Sequence, residues 1–186
     1  MKINVGVSNR HVHLTKEDLE ILFGNNYELS KKADIKQPGQ YAANETVIIK
    51  TDKDIIENVR VLGPIRSYTQ VELSKTDAYK LGINPPLRNS GEVEDASVVT
   101  IIGPIGEITK PCAILVRRHI HITKEDKEKY NLPDMITVGV NSERGGVLNN
   151  VQVKVSDEAY LEMHIDPDEA NAFNLKNNDE VEIKNF

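Results

Sequence analysis

A chain of 186 residues, 39% hydrophobic and 28% charged, has room for one sizeable core or two small ones and the composition of an ordinary soluble globular protein. Twenty-three Lys and Arg against 29 Asp and Glu leave a net charge of −6 with no basic run, which excludes a nucleic-acid binder that tracks phosphates. Cys112 is the sole cysteine and no stretch approaches the ~18 apolar residues of a membrane helix, so neither an internal disulfide nor a membrane partner is expected.

In chain order, the strand-like runs are INVGV (3–7), ETVIIK (45–50), NVRVLG (58–63), TQVEL (69–73), SVVTIIG (97–103), CAILVRR (112–118), MITVGV (135–140), NVQVKVS (150–156) and AYLEMHI (159–165). All are short, rich in Val and Ile, and punctuated by Gly, Pro or Asn. Helices are predicted over 15–23, 75–81, 123–130 and 167–173. Thr15 with Asp18, and Thr123 with Asp126, have the capping-box spacing. The pattern predicts a mainly β protein of small barrels or sandwiches, not a wound parallel sheet.

One string occurs twice. RHVHLTKEDLE, from Arg10, returns 108 residues later as RHIHITKEDKE, from Arg118, with eight of eleven positions identical. The loop NPPLRNSGEVEDAS (84–97) is the best boundary between the copies. Two related domains follow, 1–90 and 91–186, each with a strand, a His-x-His pair and a helix; terminal segments have freedom to cross between them.

On a strand, residues i and i+2 face the same way, so His11 and His13 project together, as do His119 and His121. Two imidazoles on one face can bind one metal. Four of the chain's five histidines lie in these pairs, which makes chance a poor account. The fifth, His164 in LEMHIDPDEANA, becomes a candidate third ligand. Glu72 lies between Val71 and Leu73 and so points away from their core. With two imidazoles it would complete a three-ligand zinc site with an open fourth position, the catalytic pattern.

The stretch around Arg10 also contains H-x-H-x3-E-x6-G, close to the first cupin motif with Glu17 as ligand. The Gly-to-His spacing is one short, the second copy lacks the closing Gly, and no second cupin motif follows. Glu17 and Glu125 instead fall in the first turns of helices, where acids favour the dipole.

In these residues and their surroundings the chain resembles the PduL-type phosphotransacylases (phosphate propanoyltransferases) over nearly its whole length. The matching stretches are VGVSNRHVHLT, QPGQYAANETV, NVRVLGPIRSYTQVELSKTDAYKLGINPPLRNSG, RRHIHIT and LEMHIDPDEANA. The resemblance implies two small β-barrels capped by short helices, two zinc ions, and exchange of the CoA of an acyl-CoA for inorganic phosphate. It implies that His11, His13 and Glu72 bind a first zinc whose fourth position takes the CoA sulfur, and that His119, His121 and His164 bind a second, more hydrated zinc. It implies that Arg66 contacts phosphate, and that Val7, Ser8, Asn9, Lys53, Arg60 and Asn171 contact CoA. Lys53 stands in TDKDIIE, where many relatives have a Gly-Pro-Lys turn.

The reaction suits these residue types. Arginine grips phosphate oxygens in a fork, zinc takes thiolate well, and no Ser or Cys nucleophile is required. Cys112 is expected to be buried and inert. Two other readings stay open on the ligands alone: a dinuclear zinc thioester hydrolase, and a non-catalytic metal-storing barrel. The acyl chain, acetyl or propanoyl, is set by no motif. Met1 lies ten residues before His11, so no microcompartment-targeting extension is expected at this end, and the expected place is the cytoplasm. A homodimer is the expectation for oligomeric state.

Overall fold

The computed structural model of the chain describes residues 1–184. In order these form β1 (Lys2–Val7), β2 (His11–His13), α1 (Lys16–Phe23), β3 (Lys31–Asp34), β4 (Tyr41–Lys50), β5 (Ile55–Gly63), β6 (Gln70–Leu73), α2 (Lys75–Leu81) and β7 (Leu87–Arg88). Then come β8 (Ser97–Ile102), β9 (Glu107–Val116), β10 (His119–Thr123), α3 (Lys124–Lys129), β11 (Met135–Val140), β12 (Gly146–Ser156), β13 (Glu162–Ile165), α4 (Pro167–Ala172) and β14 (Glu180–Lys184). The fold is mainly β, two closed six-stranded barrels with short helices, as the sequence predicts.

Residues 10–116 make one unit. Its barrel runs β4-β5-β2-β6-β9-β8 and closes where β8 pairs back onto β4. The alternation that the pleat requires is explicit in β4, where Ala43, Glu45, Val47 and Ile49 are buried and Asn44 and Lys50 are exposed. Val12, Val47, Ile49, Val59, Val61, Val71, Leu73, Val99 and Ile101 belong to its core, and α1 adds Leu19 and Leu22. Because Val12 packs inward, His11 and His13 leave β2 on the other face.

Residues 1–9 and the described residues from 117 to 184 make the other unit. Its barrel runs β1-β13-β10-β12-β11-β14, and β14 pairs with β1. Its core holds Ile3, Val5, Ile120, Ile122, Val138, Val153, Met163, Ile165, Val181 and Ile183. The repeat runs deeper than the 11-residue string. β2 lies between parallel β5 and antiparallel β6, and β10 lies between parallel β12 and antiparallel β13. A helix with a capping box follows each antiparallel strand, Ser74 with Asp77 on α2 and Asp166 with Glu169 on α4.

The division differs from the expected 1–90 and 91–186. Residues 84–97 lie inside the 10–116 unit, because β8 and β9 beyond them close its barrel against β4 and β6. The first nine residues join the other unit because β1 pairs with β13 and β14. Element limits shift too. The strand expected over 112–118 starts at Glu107, and its first half is polar, so hydrophobicity marks only the buried end. Exposed β3 (KKAD), two-residue β7 and charge-rich β14 (EVEIK) carry little apolar signal, and none was expected. Among the described residues no helix is long and apolar enough to cross a membrane.

Candidate metal centres

In the 10–116 unit, β2 faces β6 so that His11 stands opposite Glu72 and His13 opposite Gln70. The His11 Nε2 is 3.2 Å from Glu72 Oε2, and the His13 Nε2 is 3.8 Å from Glu72 Oε1. Donor atoms of His11, His13 and Glu72 all lie within 4.8 Å of one another, so the cluster can hold a metal ion. Tetrahedral zinc with ligands at ~2.0–2.1 Å needs ligand separations of ~3.3 Å. The His11–Glu72 pair already has that separation, and the His13–Glu72 pair, at 3.8 Å, must close by about half an ångström. Burial, helped by the charges of His11 and Arg66, pushes the His13 pKa down to about 3 against the pull of Glu72. His13 is thus neutral at ordinary pH, the form that binds metal.

Gln70 is fully buried beside this cluster. Its Nε2 donates to Glu72 Oε1 at 2.6 Å and to Ser90 Oγ at 3.0 Å, while Gly91 N donates to its Oε1 at 2.7 Å. Arg66 follows the turn after β5, and its backbone N donates to the Leu14 carbonyl. Its guanidinium donates to Tyr68 Oη at 2.8 Å and to Gln40 Oε1 at 3.2 Å. Held this way, it keeps its charge close enough to bear on His13.

In the other unit, His119 stands opposite His164 and His121 opposite Glu162. The Nε2 atoms of His119 and His121 are 3.1 Å apart, and the His164 ring centroid is 4.6 Å from that of His121. His119 Nδ1 lies 2.9 Å from the Arg117 carbonyl oxygen. The ring hydrogen therefore sits on Nδ1, and Nε2 presents its lone pair to the cluster. Donor atoms of His119, His121 and His164 also lie within 4.8 Å of one another. The donor set of two or three imidazoles with one or no carboxylate suits a borderline-soft divalent ion in both clusters.

The strand register thus brings both expected ligand triads together. The other expected residues are more dispersed. Arg60 is the β5 partner of His11, but its guanidinium donates to the carbonyls of Ala43 and Asn44 at 3.0 and 2.8 Å. Lys53 is in the β4–β5 turn, with its ammonium on the Tyr79 carbonyl at 3.2 Å. In the other unit, Val7 N donates to Asn177 Oδ1 and Ser8 N to the Ile165 carbonyl, with Asn9 next in the chain. Asn171 is exposed on α4. Glu17 and Glu125 are exposed in the first turns of α1 and α3, away from ligand duty. Cys112 is buried, and burial pushes its thiol up to about 12, so it is inert as expected.

Sequence reasoning did not single out Gln40, Tyr68, Gln70 or Glu162. For the last two a signal existed: each stands two residues before a candidate ligand, on the same strand face. Gln40 comes to Arg66 from 26 residues away, which no local pattern marks.

The chain is similar to known proteins over nearly its whole length. The model of the family described as phosphate propanoyltransferase matches residues 4–176. Similar curated proteins include phosphate propanoyltransferases of Thermotoga maritima, 50% identical over 99% of this chain and 90% of that protein, and of Rhodopseudomonas palustris, 49% identical over 98% and 82%. The phosphate propanoyltransferase of Salmonella typhimurium is 44% identical over 94% of this chain and 85% of its own length. A match of this extent, on a chain that repeats the histidine pair in each barrel, makes it a member of the phosphate propanoyltransferase family of acyltransferases.

Proposed function

We propose that this chain is a zinc-dependent phosphate acyltransferase that interconverts a short-chain acyl-CoA, propanoyl or acetyl, and phosphate with the acyl phosphate and CoA. The observation that carries the reading is the pair of three-donor clusters, since three protein ligands leave a position for an exogenous one. His11, His13 and Glu72 would hold one zinc and His119, His121 and His164 the other. A bound zinc supplies Lewis acidity toward a thiolate sulfur and toward developing negative charge on oxygen.

The chain's own residues do the rest. Arg66 binds phosphate through its fork and holds it for attack on the thioester carbonyl, which makes the displacement effectively unimolecular. Tyr68 and Gln40 keep that guanidinium in place. The backbone and side chains of Val7, Ser8 and Asn9, with Lys53, Arg60 and Asn171, are assigned to CoA. Cys112 cannot offer a thiolate, which favours direct attack by phosphate over an acyl-cysteine intermediate. The cytoplasm is the proposed location.

The test is thioester cleavage with and without phosphate, run in both directions on protein of known zinc content. CoA release that depends on phosphate, with acyl phosphate formed in equal amount, is the expected result. Cleavage without phosphate would show a hydrolase instead.

A further inference from the structure

Gln70 and Glu162 occupy the same place in the two halves of the repeat. Gln70 is the β6 partner of His13, and Glu162 is the β13 partner of His121. Each precedes the third donor of its cluster by two residues and shares a strand face with it. Each is also buried, Gln70 completely and Glu162 to 3% exposure.

Their chemistry is reversed in step with the ligand. The Gln70 amide donates to the Glu72 carboxylate at 2.6 Å. In the other barrel, His164 Nε2 lies 3.0 Å from Glu162 Oε2. A carboxylate donor atom is matched with an amide N–H, and an imidazole N–H with a carboxylate. Gly6, the β1 partner of His164, leaves room for this second pair: a Cβ there would lie 2.7 Å from Glu162 Oε2 and 3.0 Å from His164 Cδ2. Gly6 is not among the glycines with positive φ, so space and not backbone conformation explains it.

We propose that Gln70 and Glu162 are the positioning residues of the two metal clusters, Gln70 fixing the rotation of the Glu72 carboxylate and Glu162 the rotation and tautomer of the His164 ring. With its hydrogen on Nε2 toward Glu162, the His164 ring has its lone pair on Nδ1. A carboxylate behind a ligating histidine also raises its basicity. The inference rests on the metal reading above.

The experiment titrates metal-free protein with zinc against a chromophoric chelator, for wild type, Glu162→Ala, Glu162→Gln, Gln70→Ala and Gly6→Ala. Thermal unfolding of each metal-free protein runs beside it. Wild type should bind two zinc ions; wild type that binds none would sink the metal reading itself. Glu162→Ala should weaken one zinc by about 10–100-fold and leave the other unchanged, and Gln70→Ala should weaken the other one alone. Glu162→Gln keeps an acceptor for the ring N–H and should recover part of the affinity. Gly6→Ala displaces the carboxylate without removing it and should weaken the same zinc as Glu162→Ala, so the test survives if Glu162→Ala does not fold. Metal-free unfolding temperatures that stay put would separate positioning from a loss of packing. Unchanged zinc affinities, an equal loss at both sites, or Glu162→Gln as poor as Glu162→Ala would overturn the proposal.

Discussion

The Arg10 guanidinium donates to the Asp77 carboxylate at 2.9 Å, and so ties the residue before His11 to the first turn of the helix after Glu72. Arg118 and Glu169 repeat the tie at 2.9 Å, between the residue before His119 and the helix after His164. Both arginines thus link the strand that carries the paired histidines to the end of the strand that carries the third ligand. Asp77 also accepts from Ser74 N, so it serves the helix cap as well as the ion pair. Asp77→Ala should therefore cost about 1–2 kcal/mol, and Arg10→Ala less, because the arginine is 38% exposed and its half of the pair is solvated. Urea unfolding of the two variants beside wild type measures the difference; equal losses would remove the cap from the account.

Glu72→Gln keeps the shape of the first cluster and removes its only carboxylate. Zinc occupancy and turnover in both directions should fall together, whereas phosphate affinity should fall less. Full metal and full activity in the variant would reduce Glu72 to a strand residue that faces solvent.

Arg66→Lys keeps the charge and loses the fork. It should raise the KM for phosphate by roughly tenfold and the KM for acyl-CoA much less. Tyr68→Phe, which removes one of the two oxygens that hold the guanidinium, should move phosphate KM in the same direction by a smaller factor. Steady-state kinetics with each substrate varied in turn decide this.

Stability of the metal-free protein should depend on pH through His13. Its folded pKa is lowered to about 3, against about 6.5 for an unperturbed imidazole. Between those values the unfolded chain binds the proton and the folded one does not, so stability falls as pH drops through this window. The limiting slope is about 1.4 kcal/mol per pH unit for one group. Urea midpoints for metal-free protein between pH 4 and 7 should follow it, and His13→Gln should flatten the curve.

Much of the candidate site was legible in the sequence because it obeys local periods. The alternation His-x-His puts two rings on one strand face, and an 11-residue repeat does so twice. Glu72 between two apolar residues, and the Thr15 and Thr123 caps, are equally local signals, and the structure has each of them in place. Gln70 and Glu162 escaped because a polar residue on a short strand is ordinary until its partner is known. The partners of Arg66 escaped for the same reason.

The sequence by itself determined the strands with apolar alternation, the four helices, the two histidine pairs and the family. Tertiary structure alone decided which strand stands beside each pair. The register that sets Glu72 against His11 and His164 against His119 joins strands far apart in the chain. Barrel closure, likewise, sends β1 to β13 and β14 and keeps β8 and β9 with β4 and β6, which moves the boundary from the loop at 84–97 to Val116 and Arg117. A side chain's period is set within its own strand, whereas register and closure depend on turns and on core packing between strands far apart in the chain, which no local pattern reports.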